Sequence, residues 1–403
     1  MPRADHDVTD SAALATQPAE PGERKTGIRF PLSLSAMLIY AAIRLLSLGV
    51  IAYLLPRGQF RAMHYTLAHV IQAWDANRYL IIAAHGYTYV PGNLHHDSLF
   101  AWFPGYSGLI DIFQWIPGVG PVRAAFGITI VSGLVAAWGL ARLVVLVTGD
   151  RRVALITAAL WALGPGTIVL VMVYPEATFC ALAAWSLVAL VERRWLTAGL
   201  LAALSGAVRL SASALAVAIA VAALPVLVHA VRTRAPFADW WRPLVAVILA
   251  PLGLLGYWGY AAWAWHKPDA WFFMEHKMNS SFDWGRSALS TVKHAVLDGT
   301  TTPVTLTLVV VAAAVILTGC VLADRIPWSL KAYVLLVVIT AVCTGPDYLG
   351  AKPRHLMVAL LLGLPLARPL ARARLWVSVP LLAVLAAVSA WFGLYLMSVN
   401  WAP

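Results

Sequence analysis

Long apolar runs recur along the chain, and they constrain its fold more than any other feature. They lie at 33–55, 122–147, 153–173, 176–191, 195–208, 211–231, 243–265, 303–323, 328–345, 355–370 and 375–398. A helix needs about 20 apolar residues to cross a bilayer, whereas barrel strands alternate in polarity over about 10. Runs this uniformly apolar read as helices, because a spanning helix satisfies its own backbone polar groups. Composition agrees, since only 12% of residues are charged against about 25% in soluble domains. The expected fold class is all-α: a polytopic helical membrane protein with about eleven transmembrane helices.

Two segments need a decision. The stretch 195–231 is too long for one span and is split at Gly206-Ala207-Val208-Arg209. Residues 99–116, "LFAWFPGYSGLIDIFQWI", are apolar but broken by Pro104, Gly105 and Gly108. Read as a juxtamembrane helix in the first outer loop, this segment leaves a consistent charge pattern downstream. Arg151/Arg152, Arg193/Arg194, Arg232/Arg234/Arg242, Arg325/Lys331 and Arg368/Arg372/Arg374 then all face the cytoplasm, as positive residues in short loops do. The net charge of +11 is explained by this orientation, with no nucleic-acid partner. Residues 1–29 are polar and aperiodic and read as a disordered cytoplasmic tail, and 30–403 as a single transmembrane domain whose C-terminus lies outside.

That topology collects the remaining polar residues on the outer face. Asp75, in "AWDANRY", follows a stretch expected to form an interfacial amphipathic helix over 63–73, with Trp74 and Tyr79 as headgroup-level aromatics and Arg78 beside them. A carboxylate desolvated at the bilayer edge can take a proton from a hydroxyl; the alternative is a plain N-cap. Glu176 in "YPE" starts a span, where a carboxylate suits a helix N-terminus. Arg209 sits at membrane depth, where a charge is expensive and functional unless it pairs structurally with Glu176 or Asp347. Arg44, in the middle of the first run, has no obvious use. Trp284 and Arg286 close an aromatic-rich loop, a lid over a lipid phosphate or an aromatic belt. Lys352, Arg354 and His355 place cations at a helix mouth, where a guanidinium fork suits a phosphate or a lipid headgroup. His95-His96-Asp97 is a weak metal pattern, and nothing else in the sequence calls for a metal or another cofactor.

One acid, several cations and aromatics beside apolar grooves are what a transferase acting on a lipid-phosphate-linked sugar needs. The acid activates a hydroxyl, the cations hold the departing phosphate, and the grooves hold the lipid. The competing class is a lipid-linked sugar flippase or other transporter, which would place ionisable groups at the midplane; of these residues only Arg44 does so.

These residues resemble a known family. "WDANRYLIIAAHGY" (74–87) resembles the W-D-x-x-x-Y-x-x-I-A-x-x-G-Y stretch of the PIG-V-type mannosyltransferases, and Trp102-Phe103-Pro104 follows as an aromatic-Phe-Pro segment does there. "YPEATFCAL", "AVRLSA", "KPDAWFF…DWGR" and "KPRHLM" are similar to later segments of that family, in order. Three positions depart: Gly105-Tyr106-Ser107 lacks the second proline, His355 replaces a tyrosine, and Ser211-Ala212 replaces a small–Gly pair. The resemblance implies a GT-C glycosyltransferase fold in a bacterial plasma membrane, similar to actinobacterial members. It implies inverting transfer of mannose, or of another sugar, from a polyprenyl-phosphate donor to a lipid or glycolipid acceptor at the extracytoplasmic face. Asp75 carries the role of general base; Glu176, Arg209, Arg286 and Arg354 line the site. The implied partners are that donor, that acceptor and membrane lipids.

Overall fold

The computed structural model describes residues 30–57, 60–61, 64–87, 98–345 and 349–399, and residues from Leu32 onward gather into one unit. The tail 1–29, His95, His96, Asp97 and Asp347 lie outside the described residues. The chain runs α1 (Leu32–Leu54), the short helices α2 (Leu67–Ile71), α3 (Ala76–His85) and α4 (Pro104–Gln114), then α5 (Gly120–Thr148) and α6 (Arg151–Leu163). After a buried unwound stretch come α7 (Glu176–Val191), α8 (Trp195–Gly206), α9 (Ser213–Thr233), α10 (Phe237–Leu249) and α11 (Leu252–Ala264). Next are α12 (Ala270–Lys277), α13 (Arg286–Leu297), α14 (Thr302–Ala323) and α15 (Trp328–Cys343). The chain closes with α16 (Lys352–Leu356), α17 (Leu364–Arg372) and α18 (Leu375–Ser398).

Among the described residues, six helical segments are long and apolar enough to cross a membrane: α1, α5, α9 with the turn before it, α10 joined to α11, α14 and α18. The helices α7, α8 and α15 are shorter and apolar. The fold is all-α and polytopic, as expected. Among the described residues only short helices stand between α1 and α5, and the 11-residue α4 is far below spanning length. The interfacial helix expected over 63–73 is shorter, Leu67–Ile71, and is held by reciprocal capping between Thr66 and His69.

The helix α5 lies against α1, α4, α6 and α7. Its inner face is made of small residues: Ala136, Ala137 and Ala141 are fully buried, as are Ala183 and Ala184 on α7. Lipid tails are as apolar as side chains, so helices in a bilayer hold together by close backbone approach, which small residues permit. At Gly133 the approach is so close that an added Cβ would overlap the Tyr40 ring.

Two expected spans are not continuous helices. In 153–173, α6 ends before Gly164-Pro165-Gly166, Gly166 takes a φ of +83°, and the chain continues as a tight 3-10 turn over Thr167–Val171. In 355–370, helix is interrupted between α16 and α17. Both stretches are buried in protein, where irregular backbone is tolerated if other groups satisfy it. The Arg44 guanidinium donates to the Ala162 carbonyl and, at 2.9 Å, to that of Thr167. The Ser389 hydroxyl donates to the Gly164 carbonyl at 3.2 Å, and the Tyr333 hydroxyl to that of Val358 at 2.6 Å. Arg44 is therefore structural, supplying donors to carbonyls that a regular helix would have satisfied.

A buried ion cluster as candidate active site

The turn between α2 and α3 sets Asp75. Trp74 adopts a φ of +53°, a left-handed conformation that costs a bulky residue roughly 1–3 kcal/mol and persists only where surroundings enforce it. Two bonds hold this turn against the stretch before α7: Val173 N–H donates to the Ile71 carbonyl at 2.9 Å, and Asp75 N–H to the Tyr174 hydroxyl at 3.1 Å. Asp75 occupies the N-cap position of α3, yet its carboxylate makes no capping bond. Oδ2 instead accepts from Arg354 Nη1 at 2.8 Å, with the Asp75 side chain 29% exposed.

Glu176 is the first residue of α7 and is fully buried. Its Oε1 accepts from Arg209 and lies 3.4 Å from Arg354 Nε. The Arg209 backbone is extended, at the break where α8 ends and a 3-10 turn over Leu210–Ala212 leads into α9. The split placed at Gly206–Arg209 is thus where the helix breaks, and the break turns a guanidinium into the bundle. Two carboxylates and two guanidiniums compensate one another in charge, which buried ions require. Glu176 also sits at the positive end of a helix dipole.

Tyrosines wall the cluster. The Arg354 guanidinium lies 5.2 Å from the centroid of the Tyr174 ring, a cation–π contact. Tyr79 is buried within the protein: it meets Tyr106 edge-on at 5.5 Å and Tyr174 at 6.4 Å. Burial pushes its phenol well above the usual range, and the Glu176 and Asp75 carboxylates push it further. The Tyr79 phenol therefore stays protonated beside the acids.

The structure thus brings together Asp75, Tyr79, Glu176, Arg209 and Arg354, with Trp74 alongside. His355 adjoins the cluster, within reach of the Arg354 and Arg209 charges, and the other candidates stand apart. Lys352 is buried, and its ammonium donates to the carbonyls of Ala341 (3.3 Å), Val342 (2.9 Å) and Thr344 (2.8 Å). It closes the C-terminus of α15, where unpaired carbonyls collect. His355 is half-buried beside Arg354. The Arg78 guanidinium lies 5.5 Å from the centroid of the Trp102 ring. Trp284 is 81% exposed and Arg286 is exposed at the start of α13. Next to them, Asp283 accepts from the amides of Gly285 (2.9 Å) and Ser287 (2.8 Å). Burial opposes its charge, but the Ser287 hydroxyl, these two amides and the nearby Lys352 ammonium hold its carboxyl below the usual range. Phe100, Phe103, Tyr257 and Trp271 form a second apolar cluster that seats α12. Burial pushes Glu275 on that helix up to about 8.

Sequence reasoning missed Tyr174 as a member of the site. The signal was present, because Tyr174 lies in the same "YPE" triplet that singled out Glu176. Nothing local showed that its hydroxyl reaches the Asp75 amide.

No family model matches the chain. The chain is 30% identical over 165 residues to GPI alpha-1,6-mannosyltransferase 2 of Rattus norvegicus and, to the same extent, to that of Mus musculus. Each match covers 39% of this chain and 32% of the relative. The Cricetulus griseus protein is 31% identical over 148 residues, covering 34% of this chain and 28% of the relative. The chain thus matches about a third of the length of these curated relatives. Among solved structures, ArnT from Cupriavidus metallidurans, bound to undecaprenyl phosphate, superposes with a TM-score of 0.51 at 13% identity. That alignment covers 84% of this chain and 60% of that one. The chain therefore shares its fold with that solved structure, and the mannosyltransferase resemblance read from the motifs recurs in the sequence comparisons.

Proposed function

We propose that the chain is a membrane glycosyltransferase that moves mannose from a polyprenyl-phosphate donor to a lipid-linked acceptor, with Asp75 as general base. The single observation that carries this reading is the Asp75 carboxylate itself: partly exposed, uncommitted to helix capping, and fixed through one oxygen by a buried arginine. Oδ1 is left to accept a proton from the acceptor hydroxyl. That hydroxyl oxygen then attacks the anomeric carbon, the bond from that carbon to the phosphate breaks, and the polyprenyl phosphate departs with its electron pair. The configuration inverts. Arg354 and Arg209 are the cations at hand for the phosphate.

The relatives' name supports mannose and a hydroxyl acceptor; the ligand of the structural neighbour supports a polyprenyl phosphate. The charge pattern of the loops supports an extracytoplasmic site and a cytoplasmic N-terminal tail over 1–29; the series of apolar runs supports one transmembrane domain over 30–403, and the resemblance to actinobacterial members supports a bacterial plasma membrane. A transporter reading loses its main support, since Arg44 serves the backbone of an unwound segment.

The test uses purified protein in lipid with radiolabelled polyprenyl-phosphate-mannose and a mannolipid acceptor. Wild type is expected to form labelled product, and Asp75→Asn to form about 10²–10⁴-fold less, the usual contribution of a general base. Equal rates remove Asp75 as the base. Absence of transfer to every lipid acceptor, together with movement of the donor across the bilayer, returns the reading to a transporter.

A further inference from the structure

A groove of about 550 Å³ opens beside the turn that carries Asp75, within the usual range for small-molecule sites. Tyr65, His69, Gln72 and Trp74 line it, and Met397, at the end of the spanning helix α18, closes one wall. Among the described residues that line it, none is a lysine, arginine, aspartate or glutamate, so they offer no fixed countercharge for a phosphate. Apart from Met397, their aliphatic share is Ala68 and Ala73, too little for a lipid chain.

What the groove offers is aromatic faces and uncharged hydrogen-bonding groups. Tyr65 stacks on His69 with ring centroids 6.3 Å apart. His69 Nδ1 lies 3.2 Å from the Thr66 amide and 2.7 Å from the Thr66 hydroxyl, which leaves Nε2 as the ring nitrogen for a ligand. Gln72 is exposed, and its amide makes a long bond, 3.4 Å, to the Ala68 carbonyl. A pyranose ring has an apolar face that stacks on an aromatic and equatorial hydroxyls that pair with an amide, an imidazole N–H or a phenol. The strained Trp74 backbone is a second, independent sign: a bulky side chain held in the left-handed region marks places where position matters more than local stability.

From this juxtaposition we infer that the groove is the acceptor subsite and that it holds an uncharged sugar headgroup of a lipid, seated on Trp74 and Tyr65 and read by Gln72 and His69. The inference rests on the transferase reading, because Trp74, which lines the groove, is the residue before the proposed base Asp75. The groove also lies at the end of a spanning helix, where the headgroup of a membrane lipid is found. In this arrangement the donor phosphate sits beside Arg354 and the acceptor sugar beside Trp74.

The test labels the full chain in detergent-free nanodiscs with an octyl hexopyranoside that bears a diazirine on the sugar, followed by digestion and mass spectrometry. Label is expected on residues 65–74 and around Met397. Unlabelled octyl hexopyranoside should compete it away, while octyl phosphate should not. Gln72→Ala and, separately, Tyr65→Leu should each reduce labelling about tenfold, the scale of a lost hydrogen bond or stacking contact. In the transfer assay the same variants should raise the acceptor KM about tenfold and leave the donor KM unchanged. Labelling elsewhere, labelling equal in the variants, or competition by octyl phosphate overturns the inference. Because labelling needs no turnover, a protein that is labelled in the groove but transfers nothing refutes the transferase reading and keeps only the binding of a lipid-linked sugar in the groove.

Discussion

Glu176→Gln is expected to damage the fold more than the chemistry, and Asp75→Asn the reverse. Glu176 is fully buried and touches both Arg209 and Arg354, so its neutralisation leaves two guanidiniums, 13% and 11% exposed, to share Asp75. One positive charge is then uncompensated in the bundle. Removing one partner of a buried pair costs about 3–5 kcal/mol. Asp75 is 29% exposed, and Arg354 keeps Glu176 when Asp75 is neutralised. Its loss is expected to cost about 1–2 kcal/mol, between exposed and buried pairs. Activity runs the other way: Asp75→Asn loses about 10²–10⁴-fold in rate, whereas Glu176→Gln keeps its base. The assay is SDS-driven unfolding in bicelles, followed by tryptophan fluorescence, with transfer rates normalised to the folded fraction. Adding Arg209→Met to Glu176→Gln removes one charge of each sign and should restore about 0.5–3 kcal/mol. Equal destabilisation by Glu176→Gln and Asp75→Asn refutes the assignment of Glu176 as the internal countercharge.

Lys352→Met should destabilise by about 1–3 kcal/mol, because three carbonyls at the end of α15 lose their donor. Its donor KM should stay within about twofold of wild type; a large KM rise would place Lys352 in the phosphate site instead. Glu275 holds its proton more tightly when folded, at about 8 against an ordinary 4.5. The protonated form therefore supports the fold fully below the lower value, and that support drains as pH rises toward the upper one. Wild-type thermal stability should fall over that window and Glu275→Gln should flatten the fall; parallel pH profiles would contradict this. Gly166→Ala should lower transfer without touching any site side chain, because a Cβ there would lie 2.7 Å from the Arg354 amide nitrogen and push α16 away. Unchanged activity in that variant would show that the position of Arg354 does not matter.

Local sequence was enough to specify the helical class, the apolar segments, the short helices of the first loop and the break at Gly206–Arg209. An apolar run measures transfer into lipid, and Gly or Pro measures where a helix stops, so neither needs a distant partner. Local sequence also singled out Asp75, Glu176, Arg209 and Arg354 as residues too polar for their surroundings. Which of those charges meet was left to long-range packing. Arg354 reaches Asp75 across 279 positions, whereas its neighbour Lys352, equally cationic and close by in sequence, turns to close α15. The same holds for 153–173 and 355–370, apolar enough to span yet unwound. Hydropathy reports the cost of leaving water but not which side chain will satisfy a carbonyl, and Arg44, Ser389 and Tyr333 do so from helices distant in sequence.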